Sequence, residues 1–478
     1  MNSVSKGLVW KIFERFGVLG TQFVLQIVLA RILDPAHYGV LSLMLVFTMI
    51  ANVFIQSGFN TSLIQNKDVT DDDFSSVFWV SLFISVILYI IIFISAPFIG
   101  KFYDMPGLTA PLRVISLVLL PGAFNSVQLA KVNRDMDFKK VFLGNILGVV
   151  ISGIIGIVLA YSGFGLWSLV AQNMLNIIVC CLVMVFIVDW HPKFIINWQR
   201  INVLFKFGWK ILVSSLIDTV FTELRSLVIG KQFDEKTLGY YNKGKQFPQF
   251  LINGVNGAVQ SVLLPALSKL QDDIAAVKEL TRKSIIVGSY LLFPIMAILA
   301  GVARPLVIIL LTDKWLPCVP YLQIYCLTLA FYPIHACNLQ AINAVGRSDV
   351  FLKLELFKKF IGVLALIIVV VFFKSPIAIA ISGVFTTLIS TFINAFPNKK
   401  FINYTYLQQV KDILPSLILS TFVFLVIYLI QFIKVSNFLI IIIQVLVAVI
   451  IYLGISALLK LRGFKLSLDI VLGFIKKK

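Results

Sequence analysis

Charged side chains are scarce in this sequence of 478 residues, in which Asp, Glu, Lys and Arg together make up 13%. Soluble domains usually contain about 25% of these residues. Apolar residues make up 59% of the chain, and its mean hydropathy is +0.97. A soluble protein of this composition has too few polar groups to cover its surface. The composition therefore excludes an ordinary soluble enzyme and predicts a protein that crosses a membrane many times.

Cysteine and histidine are also rare, with five and three residues respectively. The cysteines lie in or beside apolar segments and form no Cys-x-x-Cys pair, and the histidines are scattered along the chain. This pattern argues against a disulfide framework, a zinc site and a histidine-based catalytic centre. We therefore predict no metal and no other cofactor. The eight residues are Cys180, Cys181, Cys318, Cys326, Cys337, His37, His191 and His335.

Long apolar runs are typical of membrane-spanning helices of about 20 residues. The connections between these runs are too short for a sizeable soluble domain. Gln22 and Gln26 interrupt the first run and no small-residue cleavage site follows, so we interpret it as a retained span and not as a signal peptide. Fourteen spans are predicted, near residues 8–33, 40–64, 74–100, 109–133, 140–162, 165–188, 209–230, 246–267, 284–311, 319–344, 354–373, 375–397, 413–433 and 436–459.

Basic residues outnumber acidic ones by 41 to 22, which gives a net charge of +19. If the N-terminus lies in the cytoplasm, most Lys and Arg residues fall in segments that face the cytoplasm, as the positive-inside rule requires. We therefore predict an even number of spans with both termini in the cytoplasm. The positive charge then sets the topology and attracts the headgroups of membrane lipids, so we predict no nucleic-acid partner.

The chain resembles itself at an offset of 200 residues. The matched positions occur in the same order and at corresponding places among the spans, as in transporters built from internal repeats. We predict a six-span lobe at residues 1–200, a second lobe of the same orientation at 201–400, and two further spans with a basic cytoplasmic tail at 401–478. Matched pairs include Arg31 and Lys231, Asp34 and Asp234, Gly39 and Gly239, Gln56 and Asn256, and Asn60 and Gln260.

Several short motifs near the N-terminus carry a family resemblance. They are Trp10, Glu14-Arg15, Leu29 to Pro35, Tyr38-Gly39, Gln56 to Phe59, Leu63-Ile64 and Asp72 to Phe74. Together they resemble the N-terminal half of polysaccharide-type flippases of the multidrug/oligosaccharidyl-lipid/polysaccharide exporter superfamily. Within it, they are most similar to colanic-acid and teichuronic-acid exporters, which are related to the flippases of O-antigen and lipopolysaccharide biosynthesis.

The resemblance implies an all-α integral membrane protein of about fourteen helices that is a transporter and not an enzyme. It implies that the protein flips an oligosaccharide linked to undecaprenyl diphosphate from the inner to the outer leaflet of the bacterial inner membrane by alternating access. The flipped substrate would then be used for surface polysaccharide export. A polymerase or other export machinery is a candidate partner. Two alternatives are a multidrug exporter of the same superfamily and, less favoured because the outer loops are short, a membrane glycan polymerase.

Two predicted spans carry amide side chains at helical spacing, so that each set shares one face of its helix. The two sets occupy equivalent places in the two repeats. They either line a hydrated cavity for the sugar diphosphate or join neighbouring helices by hydrogen bonds. The amides are Asn52, Gln56 and Asn60 in the second span, and Asn253, Asn256 and Gln260 in the eighth.

The seventh span carries Asp218, Glu223 and Arg225. Ionised side chains inside a membrane are costly and usually functional. Asp218 and Arg225 share a helix face but stand about 10 Å apart along the axis. We hypothesise that Arg225 binds the substrate phosphate and that Asp218 or Glu223 takes part in ion coupling. Alternatively, Arg225 extends to the membrane interface and the acids hold it there.

The segment after this span is predicted to be an outer loop and is unusually basic. Its lysines are candidates to guide an anionic glycan or diphosphate, with Arg31 as the counterpart of Lys231 in the first lobe. Alternatively, the loop is simply solvated. The four residues are Lys231, Lys236, Lys243 and Lys245.

A further charged group lies near the N-terminus, where Lys11, Glu14 and Arg15 have i, i+3 and i+4 spacing. This spacing favours a local salt bridge on one helix face. Glu14 and Arg15 are alternatively candidates for an inner gate.

Overall fold

The structure is a computed structural model that describes residues 17–56, 58–66 and 68–476, with side chains also left out at 207, 254–262, 471 and 473–476. Within these ranges every regular element is helical, which confirms the predicted all-α fold. The chain divides into two compact units, Met1–Gly239 and Tyr240–Lys478. The predicted boundaries near residues 200 and 400 concern the repeat and stay a prediction.

The described residues of the first unit form nine helices and the first turn of a tenth, and short 3₁₀ turns flank the fifth. The helices are α1 Leu19–Ile32, α2 Pro35–Gln56, α3 Phe59–Gln65, α4 Asp71–Phe102, α5 Thr109–Ile115, α6 Leu119–Arg134, α7 Phe138–Tyr161, α8 Leu166–Ile187 and α9 Trp198–Gln232.

In the second unit, residues 240–476 form the rest of the tenth helix and ten further helices. They are α10 Glu235–Ser268, α11 Ile274–Gly301, α12 Ala303–Leu311, α13 Val319–Ala330, α14 Tyr332–Ala344, α15 Ser348–Phe373, α16 Pro376–Ala395, α17 Asn398–Phe401, α18 Tyr406–Ile430, α19 Asn437–Leu458 and α20 Arg462–Lys476.

Ten helical stretches in the described ranges are long and apolar enough to cross a membrane, and each coincides with a predicted span. The ninth predicted span is displaced, because α11 ends at Gly301 and α12 follows with Pro305 in its first turn, where proline is tolerated. The other four predicted spans fall on α1, α9, α10 and the pair α13 and α14, which are shorter or richer in polar residues. The total of fourteen stays a prediction.

Two aspartates mark the starts of equivalent helices. Asp34 Oδ1 accepts a hydrogen bond from Ala36 N at 3.0 Å, just before α2 begins with Pro35. Asp234 Oδ1 accepts one from Thr237 N at 2.9 Å in the first turn of α10. Hydrogen bonds from Thr237 lower the pKa of the Asp234 carboxyl. Both acids therefore act as N-terminal caps.

The first turns of α2 and α10 cross with their backbones in contact. A Cβ atom on Gly39 would lie 1.8 Å from the carbonyl oxygen of Glu235, and one on Gly239 would lie 2.1 Å from that of Pro35. Only a hydrogen atom fits at either position. Gly39 and Gly239 are also a pair that the offset of 200 residues aligns, so this contact joins equivalent positions of the predicted repeat.

Candidate functional site

The charged residues of the seventh predicted span lie on one continuous helix, α9, as expected. Ser226 is buried and donates a hydrogen bond from its hydroxyl to Glu223 Oε2 at 3.0 Å. Arg225 and Glu223 are half-buried, whereas Asp218 is exposed. The helix thus presents a half-buried guanidinium, a group that can donate charge-assisted hydrogen bonds to an anion, within a turn of a hydrogen-bonded carboxylate.

The prediction of a loop after this span is wrong, because helices occupy almost all of the segment. α9 extends through Lys231 to Gln232, and α10 begins at Glu235, where the Asp234 cap starts it. The connection is therefore limited to Phe233 and Asp234. The other three lysines of the supposed loop lie on α10 as Lys236, Lys243 and Lys245.

Lys231 has partners inside the first unit. Its Nζ lies 2.9 Å from Asp104 Oδ2 and 5.0 Å from the centre of the Phe102 ring. Arg31, its counterpart in the repeat, is exposed at the end of α1. An anionic substrate at Lys231 would therefore have to compete with the Asp104 carboxylate.

Lys243 is 4% exposed, and its Nζ lies 5.7 Å from the centre of the Trp315 ring in the second unit. The next residue, Gly244, packs so closely that a Cβ atom would lie 2.8 Å from the carbonyl oxygen of Cys318. Lys245 is half-buried. Lys243 is thus part of the packed interior of its unit and not of a solvated segment.

The amides of the second span lie on two helices in the described ranges. α2 ends at Gln56, which is exposed, and α3 begins at Phe59. The Asn60 amide donates to the Ser126 hydroxyl on α6, and Asn52 Oδ1 lies 3.5 Å from the position of a Cβ atom on Gly122, also on α6. Asn52 and Asn60 therefore face a neighbouring helix, which favours interhelical contact for these two amides.

The other polar candidates are described only in part. Asn253 is exposed on α10 and accepts a hydrogen bond from Gln249 Nε2 at 3.0 Å. Asn256 and Gln260 lie on the same helix, but their side chains are outside the described set. Glu14 and Arg15 lie wholly outside the described residues.

A run of three aspartates, Asp71 to Asp73, opens α4, and two of them belong to the motif Asp72 to Phe74 that carries the family resemblance. Each carboxylate pairs with a basic residue from a different element: α6, the segment after α8, and α9. The Asp73 carboxylate also raises the pKa of Arg200. These bonds fix the beginning of α9 on the first unit. The distances are 3.1 Å for Lys131 to Asp71, 3.8 Å for Lys193 to Asp72 and 2.8 Å for Arg200 to Asp73.

A buried amide network joins α14, α17 and α18 in the second unit. Asn338 Oδ1 accepts hydrogen bonds from Asn398 Nδ2 at 2.6 Å and from Gln409 Nε2 at 2.9 Å. Nearby, His335 contacts Thr391 and Asn394 on α16 at 3.3 and 3.2 Å. Amides in such networks join helices in membranes, and their partners are too distant in sequence for a spacing rule to find them.

A second network in this unit centres on Asp412 in the first turns of α18. Its carboxylate accepts hydrogen bonds from Arg282 Nε at 2.6 Å, Arg282 Nη2 at 2.7 Å and the Tyr404 hydroxyl at 2.8 Å. Arg462 at the start of α20 lies 3.9 Å from it. Burial, and then the neighbouring Asp412, raise the pKa of Tyr404. This network ties α11, α18 and α20 together.

One further ion pair lies within α15, where Lys358 Nζ is 2.6 Å from Glu355 Oε1. Both side chains are largely covered. A paired charge inside a predicted span is a functional candidate, although the sequence analysis did not single it out.

An apolar cavity of about 280 Å³ lies between α11, α13 and α18. Its few polar groups include Gln323, whose amide donates to the carbonyl oxygen of Ala300 at 3.1 Å. This lining suits hydrocarbon better than sugar. Within the described residues, no group of three or more His, Cys, Asp and Glu side chains is placed to hold a metal ion.

Comparison with known sequences gives consistent matches. Residues 28–320 match the family described as polysaccharide biosynthesis protein. The succinoglycan biosynthesis transport protein ExoT of Rhizobium meliloti is 24% identical over 73% of this chain and 70% of its own. The lipopolysaccharide biosynthesis protein WzxC of Escherichia coli is 22% identical over 76% of this chain and 74% of its own.

Two solved structures share the fold. The lipid II flippase MurJ, in an inward closed conformation, aligns with 95% of this chain and 98% of its own, with a TM-score of 0.72 and 17% identity. An inward-facing multidrug resistance transporter of the MATE family in the MOP superfamily aligns with 81% of this chain and 98% of its own, with a TM-score of 0.60 and 14% identity. The fold is therefore that of the superfamily that the sequence resembles.

Proposed function

We propose, from the premise that the chain belongs to the polysaccharide biosynthesis protein family, that it flips a lipid-linked oligosaccharide across a membrane. The proposed substrate is an oligosaccharide on undecaprenyl diphosphate, which moves from the inner to the outer leaflet for surface polysaccharide export. The observation that carries this proposal is the family match on a chain that shares the fold of a lipid II flippase along 95% of its length. In this proposal the protein acts as a transporter and not as an enzyme.

The proposed setting is the bacterial inner membrane, with both termini in the cytoplasm and two six-span repeats at residues 1–200 and 201–400. Transport proceeds by alternating access, as in other transporters with repeats. The distribution of Lys and Arg supports the orientation, and the contact between Gly39 and Gly239 supports the repeat. Membrane lipids are the surrounding partners, and a polymerase or other export machinery would act next on the substrate.

We propose Arg225 as the group that binds the diphosphate, because its planar guanidinium can donate two parallel hydrogen bonds to phosphate oxygens. Its half-buried position on α9 supports this role. Asp218 or Glu223 would then be the acid that couples transport to an ion. Further contacts to the substrate are proposed for the remaining candidates: Arg31, Lys231, Lys243, Lys245, Asn52, Gln56, Asn60, Asn253, Asn256 and Gln260.

Replacing Arg225 by alanine is expected to reduce export about tenfold or more, since losing a charged hydrogen-bond partner costs at least 1.4 kcal/mol. Arg225→Lys keeps the charge but not the paired geometry, so it should restore only part of the export. Asp218→Asn tests the coupling acid in the same assay, which measures surface polysaccharide in cells that express equal amounts of each variant. Arg304→Ala is the matched control, because Arg304 is exposed on α12. Full export from both Arg225→Ala and Asp218→Asn would contradict the proposed roles.

Deletion of the gene tests the function as a whole. Surface polysaccharide should fall, and undecaprenyl-linked repeat units should accumulate on the cytoplasmic side, with wild-type protein reversing both effects. Unchanged polysaccharide without any accumulated intermediate would overturn the proposal. In that case, increased sensitivity to drugs would favour the multidrug exporter.

A further inference from the structure

The final helix, α20, has an apolar face that the rest of its unit covers only at one end. Phe464, Leu468 and Leu472 follow one another at intervals of four residues, so they share a face of the helix. Phe464 packs against the buried cluster around Tyr290 and Tyr452. Leu468 and Leu472 are 45% and 42% exposed. The apolar face therefore continues beyond the part that protein covers.

A charged strip runs along α20 beside this face. Arg462, Lys465 and Asp469 are exposed, and they project within an arc of about 60° at 100° per residue. Three more lysines stand at positions 476–478 of the sequence. A helix with an apolar face and a strip of charged residues is typical of segments that lie in the boundary between lipid headgroups and acyl chains.

The beginning of α20 is held firmly by the second unit. Arg462 lies 3.7 Å from Glu279 Oε1 and 3.9 Å from Asp412 Oδ1. Gly463 packs so closely that a Cβ atom would lie 2.7 Å from the side chain of Tyr290. These contacts fix the first turn against α11, a helix long and apolar enough to cross the membrane.

The position of α20 along the chain places it at the edge of the bilayer. The apolar helix Asn437–Leu458 ends four residues before Arg462, and four residues reach at most about 14 Å. α20 therefore begins close to the level at which the preceding span leaves the membrane. An exposed apolar face at that level meets lipid.

We propose that α20 lies in the plane of the membrane interface and binds an anionic lipid surface. Its apolar face enters the boundary of the acyl chains, and Lys465 contacts anionic phospholipid headgroups. Basic residues near a charged membrane are attracted in this way within a Debye length of the surface. Through Arg462, the helix anchors the adjoining ends of α11 and α18 at this interface.

Nitroxide labels on the full-length protein in lipid nanodiscs test the proposal. Two single variants, Lys465→Cys and Asp469→Cys, report the charged strip. Two others, Leu468→Cys and Ile470→Cys, report its apolar flanks, where the native side chains are 45% and 49% exposed. The five native cysteines are buried, so wild-type protein treated with the label gives the background. The measurement is the collision rate of each label with oxygen, which concentrates in lipid, and with a water-soluble nickel chelate.

The labels at 468 and 470 should collide several-fold more with oxygen relative to nickel than the labels at 465 and 469. Adding phosphatidylglycerol to phosphatidylcholine discs should increase this difference. High salt should reduce this effect of phosphatidylglycerol. Lys465→Gln, introduced together with Leu468→Cys, should reduce it as well. Equal exposure of all four labels to nickel would overturn the interfacial position, and a pattern independent of phosphatidylglycerol would overturn anionic lipid binding. Spin–spin broadening between labels at 468 would indicate a second copy on this face and would likewise overturn the proposal.

Discussion

Replacing Gly39 by alanine is expected to force the first turns of α2 and α10 apart and to destabilise the protein strongly. The added methyl group would lie 1.8 Å from the carbonyl oxygen of Glu235. Because the clashing atom belongs to the backbone, a change of side-chain rotamer cannot relieve it. Overpacking typically costs about 1–3 kcal/mol, so we expect a cost of about 3 kcal/mol here. Thermal melting of the purified protein in detergent, followed by size-exclusion chromatography, measures the effect.

Gly239→Ala should have a similar effect, since its methyl group would lie 2.1 Å from the carbonyl oxygen of Pro35. The double variant should cost less than the sum of the two single changes, because one separation of the helices relieves both clashes. Gly20→Ala and Gly454→Ala are the controls, as a Cβ atom at either position meets nothing within 4 Å. If Gly39→Ala melts at the same temperature as these controls, the close crossing is not present in the protein.

Asp412→Asn is expected to destabilise the second unit by about 2 kcal/mol. The carboxylate is 8% exposed and receives both hydrogen bonds of the Arg282 fork. Breaking a buried pair from one side costs about 3–5 kcal/mol, and we expect less because Arg282 is 31% exposed and water can reach it. Thermal melting in detergent again measures the change, together with the amount of protein in the membrane.

Asp349→Asn offers a matched control, because Asp349 forms a similar two-bond pair with Arg347 at 2.9 Å on an exposed surface. Exposed ion pairs contribute little to stability, so this variant should melt close to wild type. Arg282→Met combined with Asp412→Leu should recover part of the lost stability, since an apolar pair leaves no unpaired charge. Equal melting temperatures for Asp412→Asn and Asp349→Asn would show that burial does not strengthen the Asp412 pair.

Hydropathy and short-range capping rules predicted much of the fold. Ten of the predicted spans coincide with long apolar helices, since a span must satisfy its backbone hydrogen bonds internally and present apolar side chains to lipid. The caps at Asp34 and Asp234 were also predictable, because a cap depends on residues two or three positions away. These signals are local, and the sequence contains them directly.

The contacts between distant segments were not predictable in the same way. The lysines after α9 were expected in a loop because charge usually marks the end of a span, yet Lys243 packs inside its unit. The network of Asn338, Asn398 and Gln409 joins residues up to 71 positions apart. Neither periodicity nor charge spacing specifies such partners, because they depend on which helices become neighbours.

The ion pairs of the three aspartates at the start of α4 form in a fixed order during synthesis. Asp71 meets its partner Lys131 60 residues later, whereas Asp73 meets Arg200 only 127 residues later. Proteins are made from the N-terminus, and early segments fold while later ones are still on the ribosome. The Asp73 carboxylate of the newly made α4 therefore lacks its Arg200 partner until Arg200 has left the ribosome. The last of these contacts in the first unit therefore cannot form before the beginning of α9 has been made.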